Sequence, residues 1–123
     1  MSVDASALPR NLGELLRNTS RNFPKKGALF FKENGRYAGY SWGEVSHKAR
    51  ALASFYLKEG LQKGDRIAIL SENRPEWALV DLAAQTLGII TVPIYPSLSA
   101  AEIQYILKDC GARMLALSGK AAI

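Results

Sequence analysis

Leu12, Leu15, Leu16, Thr19 and Phe23 recur at helical spacing, and Pro24 follows them. The pattern predicts an amphipathic helix over Leu12–Asn22, with this stripe inward and basic side chains outward. Ala28-Leu29-Phe30-Phe31 and Tyr37-Ala38-Gly39-Tyr40 then flank Glu33-Asn34-Gly35-Arg36. Asn-Gly accepts positive φ at both central positions of a type I′ turn, so the segment reads as a β-hairpin.

Ser41-Trp42-Gly43-Glu44 has the form of a capping box, in which hydroxyl and carboxylate each satisfy a free backbone amide. The helix behind it presents Val45, Ala49, Leu52, Ala53 and Tyr56 on one face and stops at Gly60. Ile67-Ala68-Ile69-Leu70 is apolar without alternation, as expected of a strand covered on both faces. Asn73 is placed to cap the next helix, with Pro75 in its first turn. Trp77, Val80, Ala83, Ala84 and Leu87 would form its inner face, and Gly88 would end it. A second apolar strand occupies 89–94. Ser99-Ala100-Ala101-Glu102 is a second capping box, followed by a helix with Ile103, Ile106, Leu107 and Cys110 inward and Gly111 at its end. A third strand occupies 113–117.

These three strands start at 67, 89 and 113, with a helix in each gap. The fold class is therefore α/β: an N-terminal helix and β-hairpin over 8–41, then a β-α-β-α-β parallel, Rossmann-like half-sheet over 42–118. The whole of 1–123 forms one unit that reads as the opening of a larger domain. Right-handed crossovers and the usual 3-2-1 order would leave 67–70 at the open edge, with both connecting helices on one face. The uncovered edge and face predict self-association.

Composition narrows the class. AVILMFWYC residues make up 48% of the 123 residues and charged residues 22%, which are globular values. One cysteine excludes a disulfide framework, and one histidine a histidine-rich metal cluster. The opening residues MSVDASALPR hold no apolar run, which argues against a secretory signal and for a cytoplasmic protein. The window 77–95 carries only Asp81 as a charge, but Gly88 and Pro93 interrupt it, so a helix followed by a strand explains it better than a membrane span. The net charge of +5 is concentrated near the start: residues 1–40 hold seven basic side chains (Arg10, Arg17, Arg21, Lys25, Lys26, Lys32, Arg36) against three acidic ones. A solvated basic face and a patch for an anionic partner or the surface of a membrane both fit that excess.

Little in the chain carries chemistry outright. No GxGxxG occurs. Gly119-Lys120 imitates the end of a phosphate loop, but Met114 replaces its first glycine and Ala121 its Ser or Thr. His47 reads as solvated, Cys110 as a buried structural thiol, and Trp42 and Trp77 as core. Two loops remain, Ser71-Glu72-Asn73-Arg74-Pro75-Glu76-Trp77 and Tyr95-Pro96-Ser97-Leu98-Ser99. Both follow carboxyl ends of parallel strands, where open α/β sheets bind ligands.

The strings SENRPEW and GIITVPIYPSLSAAEIQYIL, with YSWGEV and LQKGDRIAILSENRPEW upstream, resemble the N-terminal region of AMP-forming acyl-CoA synthetases. The nearest likeness is to long-chain fatty-acid CoA ligases of the adenylate-forming superfamily. That resemblance implies an enzyme that joins a fatty acid to AMP from ATP with magnesium, then transfers the acyl group to coenzyme A. It also implies a CoA-side role for Tyr95, Pro96, Ser97 and Leu98. The family's phosphate loop, adenine segment, ribose-binding aspartate and catalytic lysine have no counterparts in these 123 residues. The chain itself is thus expected to be a scaffold without cofactors, catalytic residues or metal ligands, and with no nucleic-acid partner. A free-standing interaction module, binding an anionic surface or partner protein through the basic first third, is the alternative.

Overall fold

The computed structural model describes residues 4–119; Lys120 and Ala121 of the imitated phosphate loop lie outside them. A 3-10 turn, Ala5–Ala7, precedes helix α1, Leu12–Asn22. The hairpin follows as β1, Gly27–Glu33, and β2, Arg36–Ser41, paired antiparallel. Its turn residues Asn34 and Gly35 take φ of 50° and 76°, the positive pair that a type I′ turn requires.

Helix α2, Trp42–Lys58, starts at Ser41 as the capping box predicts. The Glu44 amide donates to Ser41 Oγ at 3.2 Å, and the Ser41 amide donates to Glu44 Oε2 at 2.7 Å. Ser41→Ala should lower stability by about 0.5–2 kcal/mol; urea midpoints of the two proteins check it, and equal midpoints would show that the cap contributes nothing.

Strands β3, Arg66–Leu70, β4, Ile90–Ile94, and β5, Met114–Leu117, form a parallel sheet with helix α3, Pro75–Thr86, and helix α4, Ala100–Cys110, in the connections. The order is β4-β3-β5, so 67–70 lies in the centre and not at the open edge. Burial explains the difference. Ile67, Ala68 and Ile69 are enclosed on both faces, whereas Ile90, Leu115 and Leu117 are exposed. The most continuous apolar strand takes the middle, and Pro93, which has no amide to donate, sits in an outer strand. Right-handed crossovers to opposite sides of β3 also put α3 and α4 on opposite faces, not on one. The side chains agree. Ile67 packs in the cluster with Leu79 and Ala83 of α3, while Arg66, its neighbour on the other face, donates from Nε to the Cys110 carbonyl of α4 at 2.7 Å.

The main core lies between α1, α2, α3 and the sheet, around Leu16, Val45, Ala49, Ala53, Tyr56, Ile67, Leu79, Ala83, Ala84 and Ile89. Its small residues let α2 and α3 approach closely. The expected inner face is displaced in α1, and is found in α3 and α4 with less burial than the pattern implies. In α1 the buried positions are Gly13, Leu16 and Ser20, and Leu12, Leu15 and Phe23 are exposed. The glycine sets this face: a Cβ on Gly13 would lie 2.9 Å from Thr86 Cα, so α1 rests there on the backbone of α3. In α3 Ala83 and Ala84 are buried and Val80 and Leu87 pack against the core as expected, Leu79 joins them, and Trp77 is only half-buried. In α4 the expected Ile103, Ile106, Leu107 and Cys110 do face inward, but none is fully buried, and Cys110 is half-buried and not the buried thiol expected, because little but the sheet covers this helix. Nor does Asn73 cap α3. The N-cap is Arg74, without a side-chain bond, because Pro75 holds the first helical position directly after it.

Tyr56 donates to the Val80 carbonyl at 3.3 Å, and burial, with a smaller contribution from Asp81, pushes its pKa up to about 12. The neutral phenol is the form the core accepts. Its contribution to stability is complete below the ordinary tyrosine value of about 10 and is lost as pH rises toward 12. Urea midpoints at pH 9 and 12 should fall more for the native chain than for Tyr56→Phe, by about 2–3 kcal/mol; equal falls would contradict it.

Candidate functional site

The connection after β3 is shaped by its own charges. Arg74 Nε donates to Glu76 Oε2 at 2.9 Å, and its Nη1 donates to Glu72 Oε1 at 3.4 Å. Glu72 also accepts from the Ser118 hydroxyl beyond β5, which ties together two loops that the sequence separates by 46 positions. The Ser118 hydroxyl and then its own backbone amide hold the Glu72 carboxyl below the usual range. Arg74 does the same for Glu76, and Glu76 in turn raises Arg74.

Beside this connection, Tyr95 to Leu98 makes a turn closed by the Leu98 amide donating to the Tyr95 carbonyl at 3.2 Å. The two loops singled out from the sequence meet here. Ser71, Glu72, Asn73 and Trp77 face Pro93, Ile94, Tyr95 and Pro96 across a crevice of about 710 Å³. Tyr95 and Pro96 are brought into it; Tyr95 remains 77% exposed. Ser97 and Leu98 are not. Ser97 is exposed in the turn, and Leu98 lines a separate groove along α4 with Ala101, Tyr105 and Ile106.

A second crevice of about 310 Å³ opens between the carboxyl ends of β3 and β5, with Ile69, Trp77, Val80, Ala116 and Ser118 among its walls. It is the point where successive connections leave the sheet in opposite directions, which is where open α/β sheets take ligands. Trp77 borders both crevices, and its place between them explains its half-burial. Reading it as core missed this. Its position, two residues into the helix after the central strand, was the available signal. His47 is exposed, as expected of a solvated side chain, and Trp42 packs half-buried against the main core.

Phosphate chemistry finds little here. Among the described residues no group of three or more His, Cys, Asp or Glu side chains could hold a metal ion. No helix among the described residues is long and apolar enough to cross a membrane.

Comparison with known proteins agrees with the resemblance. The family described as "AMP-binding enzyme" matches residues 16–122. The rat mitochondrial medium-chain acyl-CoA ligase ACSF2 is 32% identical over 112 residues, covering 90% of this chain and 18% of its own length. The long-chain-fatty-acid–CoA ligase FadD15 of Mycobacterium bovis is 37% identical over 82 residues, covering 67% of this chain and 14% of its own. Among solved structures, the N-terminal domain of FACL13 from Mycobacterium tuberculosis superposes with a TM-score of 0.83 at 28% identity, over 93% of this chain and 28% of that one. The N-terminal subdomain of Klebsiella oxytoca NpsA gives 0.81 at 26% identity, over 94% and 29%. The chain thus spans less than a fifth of the length of these two ligases. Sequence, fold and the two loops at the carboxyl end of the sheet converge: this chain belongs to the AMP-binding enzyme family.

Proposed function

We propose that the chain serves as the N-terminal part of a fatty-acid CoA ligase, with long-chain fatty acids as substrates. The whole enzyme would convert fatty acid, ATP and coenzyme A to acyl-CoA, AMP and pyrophosphate, with magnesium on the nucleotide. The observation that carries this reading is the family match over 16–122. The long-chain assignment rests on the FadD15 likeness; the ACSF2 likeness supports medium chains equally, so an acyl-length series is the test that separates them.

Within that enzyme the role of 1–123 is structural, as one α/β unit that supplies part of the sheet and one wall of a channel. The crevice between Trp77 and Tyr95-Pro96 has mainly uncharged walls, which suit the slender thiol-bearing arm of coenzyme A and not its phosphates. Tyr95 and Pro96 would border that arm, with Ser97 and Leu98 completing the turn. The chain's own contribution is to orient and exclude water. Activation of the acyl group by adenylation and thioester formation belong to the bound nucleotide and coenzyme, and no step is assigned to a residue here.

The natural reading frame tests the assignment. Continuation into a Ser/Thr/Gly loop ending in Pro-Lys-Gly supports it, and a stop near Ile123 favours the interaction module. The chain alone should not bind ATP with magnesium tightly, because adenylyl transfer needs positioned cations and amides around the phosphates. Calorimetric titration checks this; a dissociation constant in the low micromolar range would contradict it.

A further inference from the structure

At the opposite end of α3 from the two crevices, about 18 Å along a helix of 12 residues, lies a cleft of different character. It has a volume of about 290 Å³ and sits where α1 and α2 meet the carboxyl end of α3. It is lined by Arg17 of α1 and by Ser46 and Arg50, one turn apart, of α2; both arginines are exposed at its mouth. Gly13 and Thr86 close it at their point of backbone contact. No carboxylate lines it.

Arg17 and Arg50 are both exposed, so solvent screens their mutual repulsion in part, and an anion between them would relieve the remainder. Among the described residues neither Arg17 nor Arg50 has a carboxylate within 4.0 Å. The nearest candidate is committed elsewhere: Glu14 pairs with Arg10 at 3.3 Å, and its carboxyl is held low chiefly by the Arg10 amide and side chain, Arg17 contributing least. The carbonyl end of α3 offers only weak compensation. The Thr86 hydroxyl takes the Ala83 carbonyl, Leu87 and Ile89 amides take that of Ala84, and the Gly88 amide takes that of Gln85. A helix terminus carries about half a charge, against two full ones here.

We propose that this cleft binds a phosphate-class oxyanion, held by Arg17 and Arg50 with the Ser46 hydroxyl as a further donor. Guanidinium is the side chain whose fork matches two oxygens of such an ion. The cleft is larger than the anion, so the phosphate can be free or can head a larger molecule, including a lipid. The site is separate from the crevices at the carboxyl end of the sheet and does not depend on the ligase reading.

Titration of the 123-residue chain with inorganic phosphate and with pyrophosphate, at constant ionic strength set by sodium chloride, tests the site. Saturable binding at one site per chain is expected, with a thermal midpoint that rises with phosphate and not with chloride. Arg17→Gln and Arg50→Gln should each weaken binding about tenfold or more, the usual scale for a lost charge-assisted bond. Lys32→Gln, on the distant hairpin, should leave it unchanged. Arg17→Lys and Arg50→Lys keep the charge but lose the fork, and should fall in between. Vesicles of phosphatidylcholine with and without phosphatidic acid separate the sources. Arg17- and Arg50-dependent capture by the anionic vesicles alone, without binding of free phosphate, assigns the anion to a lipid headgroup and supports the site. Absence of saturable binding to any of these probes overturns the proposal. So does equal weakening by all three glutamine variants, which signals diffuse charge. Loss of stability in the arginine variants with no phosphate-dependent difference also overturns it, because the two side chains would then serve only the end of α3.

Discussion

Ile67→Ala should cost about 2–5 kcal/mol, the range for deleting a large aliphatic side chain from a packed core. Ile67 is fully buried on the central strand and touches the cluster that joins α1, α2 and α3 to the sheet. Strand β3 is paired on both sides, so it has little room to shift into the space left behind. A typical domain has only about 5–15 kcal/mol of net stability. The sheet here also leaves part of one face uncovered, so the loss should move a substantial fraction of the chain toward the unfolded state. Leu117→Ala is the internal control: that side chain is 56% exposed at the end of β5, and its removal should cost far less. Urea midpoints decide it. A cost below about 1 kcal/mol for Ile67→Ala would mean that the site collapses freely or that β3 is not the centre of the core.

The chain is expected to associate with itself, and β5 is the edge through which it should do so. Both outer strands have an unpaired side among the described residues, but they are not equivalent. Pro93 removes one donor from β4 and discourages strand addition there. Residues Met114–Leu117 contain neither proline nor charge, and Leu115 and Leu117 are exposed beside the free edge. Pairing of two such edges would continue the sheet and cover apolar surface at once. Size exclusion with light scattering should show a dimer or a larger species, and Leu117→Lys should shift it toward 13.4 kDa. A clean 13.4 kDa monomer of the native chain at high concentration would show that it covers its own sheet.

Local signals in the sequence carried furthest. The Asn34-Gly35 turn, both capping boxes and the glycine after α4 each act through atoms a few residues apart, and all are found where the residues place them. Strand order was read less well, because it depends on which connection crosses the central strand, and that is a property of three elements together. A local clue existed in Pro93, which belongs in an outer strand, and in the unbroken apolar run of 67–70, which belongs in the middle. The buried face of α1 is less legible, because Gly13 sets it and not the leucines that mark the helical stripe. A glycine that admits another backbone can fix the packed face of a helix as firmly as large side chains do. At the candidate site, both loops were found from their position after parallel strands. The link from Glu72 to Ser118 was not, since nothing local relates residues 46 positions apart. The CoA-side role of Tyr95, Pro96, Ser97 and Leu98 followed from the resemblance alone, and the crevice takes in only Tyr95 and Pro96 of that segment.

The proposed place of this chain, as the scaffold end of an acyl-CoA ligase, is open to direct test. The most direct measurement takes the protein encoded by the complete natural reading frame and supplies it with coenzyme A, ATP, magnesium and fatty acids from short to long chains. Acyl-CoA, AMP and pyrophosphate are followed together. The account predicts equal amounts of all three from the full-frame protein, with the highest rate on long chains, and none from residues 1–123 alone. A full-frame protein that forms no acyl-CoA from any of these acids, or a 123-residue chain that forms it unaided, would contradict the account.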